Sequence, residues 1–207
     1  MQYSPPGGIA LGGRSSRSGG VCPATPGGRV PTRERERPRG SVNISGGRGG
    51  SFRTMDGAEL VRRLKSLKSL KNCEIYLHST DDTWCAPTNL PALYVLNTAR
   101  SRGVGEHYVA FYVHPDRSVS YFDSYGIPPF SCLKKFWKRH DMSPVISQKR
   151  LLQSPLSFVC GHYVIAFAAF VSSGVTLKGF VSGFTGDHDL NDRHVSNFVR
   201  KELDFTP

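Results

Sequence analysis

The sequence predicts an α+β domain behind a long basic tail. Three observations carry this: a composition break near residue 54, two β-rich runs around a Pro-Asp turn between 107 and 123, and a helix-like apolar run from Tyr163 to Val171. Helices and strands are interspersed without regular βαβ alternation, and no internal repeat is found.

Residues 1–54 hold 13 of the 22 glycines, 6 of the 14 prolines, nine arginines and no lysine, with Glu34 and Glu36 as their only acids. So little apolar surface does not offset the entropy of ordering the segment, so a disordered tail is expected, followed by a folded domain at 55–207. Formal charge divides as +7 for the tail and +4 for the domain within a total of +11. A basic flexible segment suits contact with a polyanion such as DNA, and equally suits a solvated leader.

Within the domain, Asp56 can cap a helix running to about Lys71, with Leu60, Leu64, Leu67 and Leu70 on one side. Residues 72–91 read as turns anchored by Cys73, Trp84 and Cys85. Ala92–Asn97 reads as a buried strand and Thr98–Gly105 as a polar loop. His107–Val113 and Ser118–Asp123 read as a β-hairpin about His114-Pro115-Asp116-Arg117, closed by Gly126-Ile127-Pro128-Pro129. Ser131–His140 reads as a basic helix and Val145–Gln153 as a further strand. A buried helix starts near Cys160, and Asn191–Leu203 forms a last amphipathic helix with Val195, Phe198, Val199 and Leu203 inward.

The five cysteines (Cys22, Cys73, Cys85, Cys132 and Cys160) are odd in number and form no CxxC pair. The N-terminus lacks the charged-then-apolar layout of a secretory signal. Free thiols in a reducing, intracellular setting are therefore expected. The longest apolar run, nine residues, falls far short of the roughly 20 a spanning helix needs, so no membrane association is expected.

The hairpin supplies the first half of a candidate site. If its turn is centred near Pro115–Asp116, His107 and Asp123 stand opposite one another at the open end. A carboxylate beside an imidazole fixes its tautomer and stabilises its protonated form. The second half is Cys160, which opens an apolar helix in Phe158-Val159-Cys160-Gly161-His162. The partial positive charge of a helix N-terminus favours thiolate in a cysteine placed there. Gln153, seven residues upstream, is a neutral donor suited to a developing oxyanion. Taken singly, each residue reads better as structural: a strand-end histidine, a turn acid, a buried cysteine.

Taken in order, His107-Tyr108-Val109-Ala110-Phe111, then Tyr121-Phe122-Asp123-Ser124-Tyr125-Gly126, then Gln153 and Cys160-Gly161 resemble the adenovirus-type cysteine protease (adenain) and its relatives in viruses and large virus-like transposons. The likeness spans about Met55 to Leu203. It implies a central, mostly antiparallel sheet flanked by helices. It implies His107 as base, Asp123 as its orienter, Cys160 as nucleophile, and Gln153 with Cys160 as the oxyanion hole. It further implies a peptidase that needs no cofactor for its chemistry, is monomeric, acts on polypeptides in a host nucleus or virus particle, and is stimulated by DNA and by a peptide activator. Cys132 is the only cysteine in the region where such an activator attaches, and residues 134–139 supply Lys134, Lys135, Lys138 and Arg139 for DNA. Two departures stand out: the acid is Asp where Glu is usual, and the stretch from Asp123 to Gln153 is short.

Proteases of this kind cut after aliphatic-x-Gly-Gly, and Ile44-Ser45-Gly46-Gly47-Arg48 fits, which makes Gly47–Arg48 a candidate self-cleavage bond. A glycine-rich tail also produces such a match by chance. Three other readings compete. A ubiquitin- or SUMO-deconjugating protease uses the same residue order, and the Asp123-Ser124 pair looks closer to that group. A basic nucleic-acid-binding module would make the site residues structural. A metal site from Cys85, His107, His114, Cys132, His140 and His162 lacks paired-ligand spacing.

Overall fold

The computed structural model describes residues 55–80, 82–98 and 107–204, with side chains through 202; all lie in one unit of the chain, 46–207. The expectations for the tail, for Gly47–Arg48 and for most of the 98–105 loop lie outside the described residues.

Five strands form one sheet in chain order: β1 (Glu74–Ser79), β2 (Ala92–Asn97), β3 (Tyr108–Val113), β4 (Val119–Phe122) and β5 (Val145–Ser147). The two inner pairings are antiparallel and the two outer ones parallel. The sheet is thus mixed, because both outer connections are crossovers, and a crossover returns a strand parallel to its neighbour. Residues 80–91 make the first. Helix α2 (Ser131–Arg139) makes the second and covers one face of the sheet.

Alternation along the strands divides the core. Leu93, Val95, Ala110, Tyr112 and Phe122 pack with α1 (Gly57–Ser66), α3 (Cys160–Ser172), α4 (Leu177–Ser182) and α5 (His188–Asp204). Their alternates Tyr94, Phe111, Val119 and Tyr121 pack with Leu133, Phe136 and Trp137 of α2. Each fully buried Leu or Phe contributes about 1.5–3 kcal/mol. Helix α3 is apolar nearly all round, as expected for a helix enclosed by others and by the sheet.

Several boundaries differ from the sequence reading. Asp56 does cap α1, accepting from the Glu59 N–H at 2.7 Å. The helix stops at Ser66, however, since Leu67 is extended and a 3-10 turn follows at Lys68–Leu70. All four leucines are buried nonetheless; their spacing signalled burial, not the helix end. β1 was hidden within a segment read as turns because it is an edge strand whose side chains are half-buried or exposed. β5 covers only three residues, for the chain leaves the sheet at Gln148, whose side chain bonds the Asp123 carbonyl. Helix α4 was not anticipated; Thr176 caps it by accepting from Gly179 N–H at 3.1 Å. Helix α5 starts three residues early, at His188, with Asp187 accepting from Leu190 N–H at 2.9 Å.

Cys73, Cys132 and Cys160 are free thiols. Cys85 is disulfide-bonded, a departure from the expectation of free thiols. Among the described residues no helix is long and apolar enough to cross a membrane.

Candidate active site

The β3–β4 register pairs Ala110 with Phe122 and Val113 with Val119, so the hairpin is symmetric about Asp116. Its loop has three residues, 115–117, and Arg117 takes a positive φ of 68°, the usual left-handed third position of such a loop. Continued outward, this register places Val109 opposite Asp123. His107 is thus a diagonal neighbour two residues further on, not the direct partner that equal spacing about Pro115 implied. Diagonal positions share a face and remain within reach of long side chains. His107 Nε2 meets Asp123 Oδ1 at 3.0 Å, both residues buried.

The chain after β4 reinforces this pair. Tyr125 N–H donates to the same Asp123 Oδ1 at 2.8 Å, and the Tyr125 ring stacks on the His107 ring. Gly126 then turns the chain with φ +72°, against the backbone of Lys149 and Arg150, where a Cβ would come within 2.7 Å of backbone atoms. A glycine is required here, and it draws the segment leading to Gln153 alongside the hairpin.

Cys160 is the first residue of α3 and is half-buried. Val159 supplies no side-chain cap, so no capping side chain takes the N–H groups of the first turn. The neighbouring Cys160 side chain favours the charged form of the His107 ring. With Nε2 committed to Asp123, Nδ1 is the ring nitrogen left for the sulfur. Nδ1 is buried and has no hydrogen-bond partner; catalytic hydrogen bonds often tighten only when substrate binds. Burial is the largest single influence on His107 and disfavours its charged form, but Asp123 and Cys160 together outweigh it and raise its pKa to about 9. Gly161 packs on Met55 and Leu60, where an added methyl would meet only ordinary contacts, so its packing does not itself demand glycine.

Gln153 has no exposed surface. Its Oε1 accepts from Ser124 Oγ at 2.7 Å, while Nε2 donates to the Ser157 carbonyl at 3.0 Å and the Tyr125 hydroxyl at 3.3 Å. The backbone around it is pinned by residues that the sequence reading did not single out. Leu152 O accepts from Tyr163 Oη and Asn191 Nδ2, and Asp192 accepts from the Ser154 N–H and from Tyr163 Oη. Asn191 and Asp192 lie one turn before Val195 on the buried stripe of α5, and two polar residues on an apolar stripe are a legible sign of such a role. Burial holds the Asp192 carboxyl above the usual carboxylate range.

The arrangement can move a proton between a thiol and an imidazole, hold the imidazolium with a carboxylate, and offer N–H donors nearby. Among the described residues, no group of three or more His, Cys, Asp or Glu could hold a metal ion.

No family model and no curated protein matches the chain. Among solved structures it is similar to an ASFV protease, at 23% identity and TM-score 0.39, over 50% of this chain and 42% of that one. It is also similar to the Chlamydia trachomatis effector ChlaDUB1, at 12% identity and TM-score 0.43, over 72% of this chain and 73% of that one. A third likeness is to the Chlamydia trachomatis effector Cdu1 bound to ubiquitin, at 13% identity and TM-score 0.40, over 72% and 80%. The match spans less than half the length of the ASFV protease.

Proposed function

We propose that this chain is a cysteine peptidase acting through Cys160, His107 and Asp123. The observation that carries the proposal is the convergence of three residues, distant in sequence, at one place: a half-buried thiol at a helix start, an imidazole raised to about 9 by that thiol and by a carboxylate, and the carboxylate itself. As isolated structural residues they would have no reason to meet in this order of contact.

In the first step the thiol proton passes to His107, and the sulfur attacks the peptide carbonyl carbon. The oxygen gains negative charge, facing the Cys160 N–H and the Gln153 amide. His107 then returns its proton to the departing amine as the C–N bond breaks, leaving a thioester on Cys160. Water, deprotonated by His107, attacks the thioester and releases the carboxylic acid and the thiol. Asp123 keeps the imidazole oriented throughout.

Substrates of the aliphatic-x-Gly-Gly type, the tail bond Gly47–Arg48 among them, fit the resemblance to the adenovirus-type enzymes. Cleavage of viral or virus-like precursor proteins, in a host nucleus or particle, follows from the same likeness. Lys134, Lys135, Lys138 and Arg139 are exposed on α2, as is the free thiol of Cys132, which supports stimulation by DNA and by a thiol-bearing peptide. A second reading, a deconjugase for ubiquitin-like proteins, is favoured by the Asp123-Ser124 pair. Leu156 and Phe158, 91% and 67% exposed just before Cys160, supply apolar surface for a folded substrate.

The test is hydrolysis by purified full-length chain of an Ile-x-Gly-Gly peptide against a SUMO–reporter fusion, with Cys160→Ala as control. Activity on the peptide and a newly exposed Arg48 N-terminus support the first reading. Activity confined to the fusion favours the second. Hydrolysis retained in Cys160→Ala removes both.

A further inference from the structure

We propose that Ser124 is a positioning residue that anchors the Oε1 end of the Gln153 amide and so builds the oxyanion hole. The inference rests on the peptidase reading above and adds to it a residue that the catalytic triad does not require.

A glutamine amide has two ends of similar shape, and its last torsion is two-fold. Only the Nε2 end can donate to an oxyanion; the reverse orientation would present Oε1 and repel the developing charge. Something must therefore select one of two sterically equivalent states. Gln153 is fully buried, so water does not make the choice. Ser124 Oγ stands 2.7 Å from Oε1 and donates to it. The Ser157 carbonyl, which can only accept, stands 3.0 Å from Nε2 and selects the direction; Ser124, whose hydroxyl can donate or accept, anchors the Oε1 end once that direction is set. The two partners fix the amide from opposite ends.

Ser124 is itself immobile. It is 1% exposed, and its carbonyl accepts from the N–H groups of Leu152 and Gln153 at 2.8 and 3.2 Å. It also lies between Asp123, which holds His107, and Tyr125, which stacks on His107 and accepts from Nε2. Three consecutive residues thereby place the base and the oxyanion donor in one frame. The Nε2–Tyr125 bond, at 3.3 Å, is the longer of the two that Nε2 makes. It is the one that yields when a charged oxygen arrives, because hydrogen bonds to an ionised acceptor are stronger.

The inference separates two properties that a general structural role would lose together. Alkylation of Cys160 by iodoacetamide needs the Cys160–His107 pair and forms no oxyanion. Binding of a peptide aldehyde ending in Gly-glycinal forms a tetrahedral adduct whose oxygen occupies the hole. In Ser124→Ala, kcat on the Gly-Gly peptide and aldehyde affinity are expected to fall together by about 10²–10³-fold. KM and the alkylation rate, with its pH profile, should stay within about twofold. Ser124→Thr, which keeps the hydroxyl, should retain aldehyde affinity within about tenfold of the parent. Parent-like kcat and aldehyde affinity in Ser124→Ala overturn the inference, as does a parallel loss of alkylation. So does a Ser124→Thr variant that alkylates normally but binds aldehyde as poorly as the alanine variant. A parent enzyme that alkylates at Cys160 but neither binds the aldehyde nor cleaves any peptide overturns the peptidase reading first, and this inference with it.

Discussion

The His107 imidazole lies on the Tyr125 ring, their centroids 4.6 Å apart and their planes inclined by 28°. A protonated imidazole over an aromatic face gains about 0.5–2 kcal/mol, equivalent to up to about 1.5 pH units in its titration. Tyr125→Ala should therefore move the alkaline limb of the kcat/KM profile downward by up to about 1.5 units, whereas Tyr125→Phe should leave it in place. A pH–rate series on the three proteins checks this.

Asp123 decides the charge of His107. Burial, the largest influence, disfavours the imidazolium, and the carboxylate and thiol reverse it to a pKa of about 9. In Asp123→Asn one of the two groups that raise the ring is gone, so His107 should titrate below its parent value, and kcat should fall about 10²–10⁴-fold. NMR titration of the imidazole, alongside kcat, gives both numbers.

The same shift has a sign in stability. A histidine whose folded pKa exceeds its unfolded value adds stability that is fully present below about 6.5 and is lost as pH rises through about 9. The native protein should lose on the order of 3 kcal/mol between those limits from this group. Urea midpoints across that window should show the decline in the parent and a smaller one in Asp123→Asn.

Gly126 combines a φ of +72° with backbone of Lys149 and Arg150 at 2.7 Å from where a Cβ would sit. Gly126→Ala should cost about 2–4 kcal/mol, through left-handed strain plus displacement of the strand-to-Gln153 segment. A lowered urea midpoint with an unchanged slope, accompanied by reduced kcat, is the expected result.

Cys73 sits against the core, where burial pushes its thiol up to about 12. Iodoacetamide at pH 8 should leave it unmodified while the exposed Cys132 reacts. Peptide mapping after brief labelling reads this directly.

Much of this architecture was legible from residue patterns. The runs Ala92–Asn97 and His107–Asp123 announced β2 to β4 because these strands are fully buried and their β-branched and aromatic residues stand out. β1 was missed because an edge strand carries no such contrast. The pairing of His107 with Asp123 was reached through a turn centred one residue too early; the reach of a diagonal pair made the error harmless. What could not be read was the support. Ser124, Tyr125, Asn191 and Asp192 act through contacts that span up to 39 residues, and local sequence does not encode such distances. Nor did the sequence show that the Gln153 donors are already engaged, since that depends on where the Ser157 carbonyl and Tyr125 hydroxyl come to rest.

The central claim is that Cys160 is activated by His107. Its most direct measurement is labelling of the full-length chain with a peptide vinyl sulfone ending in Gly-Gly, followed by mass-spectrometric identification of the modified thiol in the parent and in His107→Ala. The account predicts modification at Cys160 in the parent and its near-complete loss in the variant, with Cys132 untouched by the probe in both. Modification at Cys132 in place of Cys160, or equal rates at Cys160 with and without the imidazole, would contradict it.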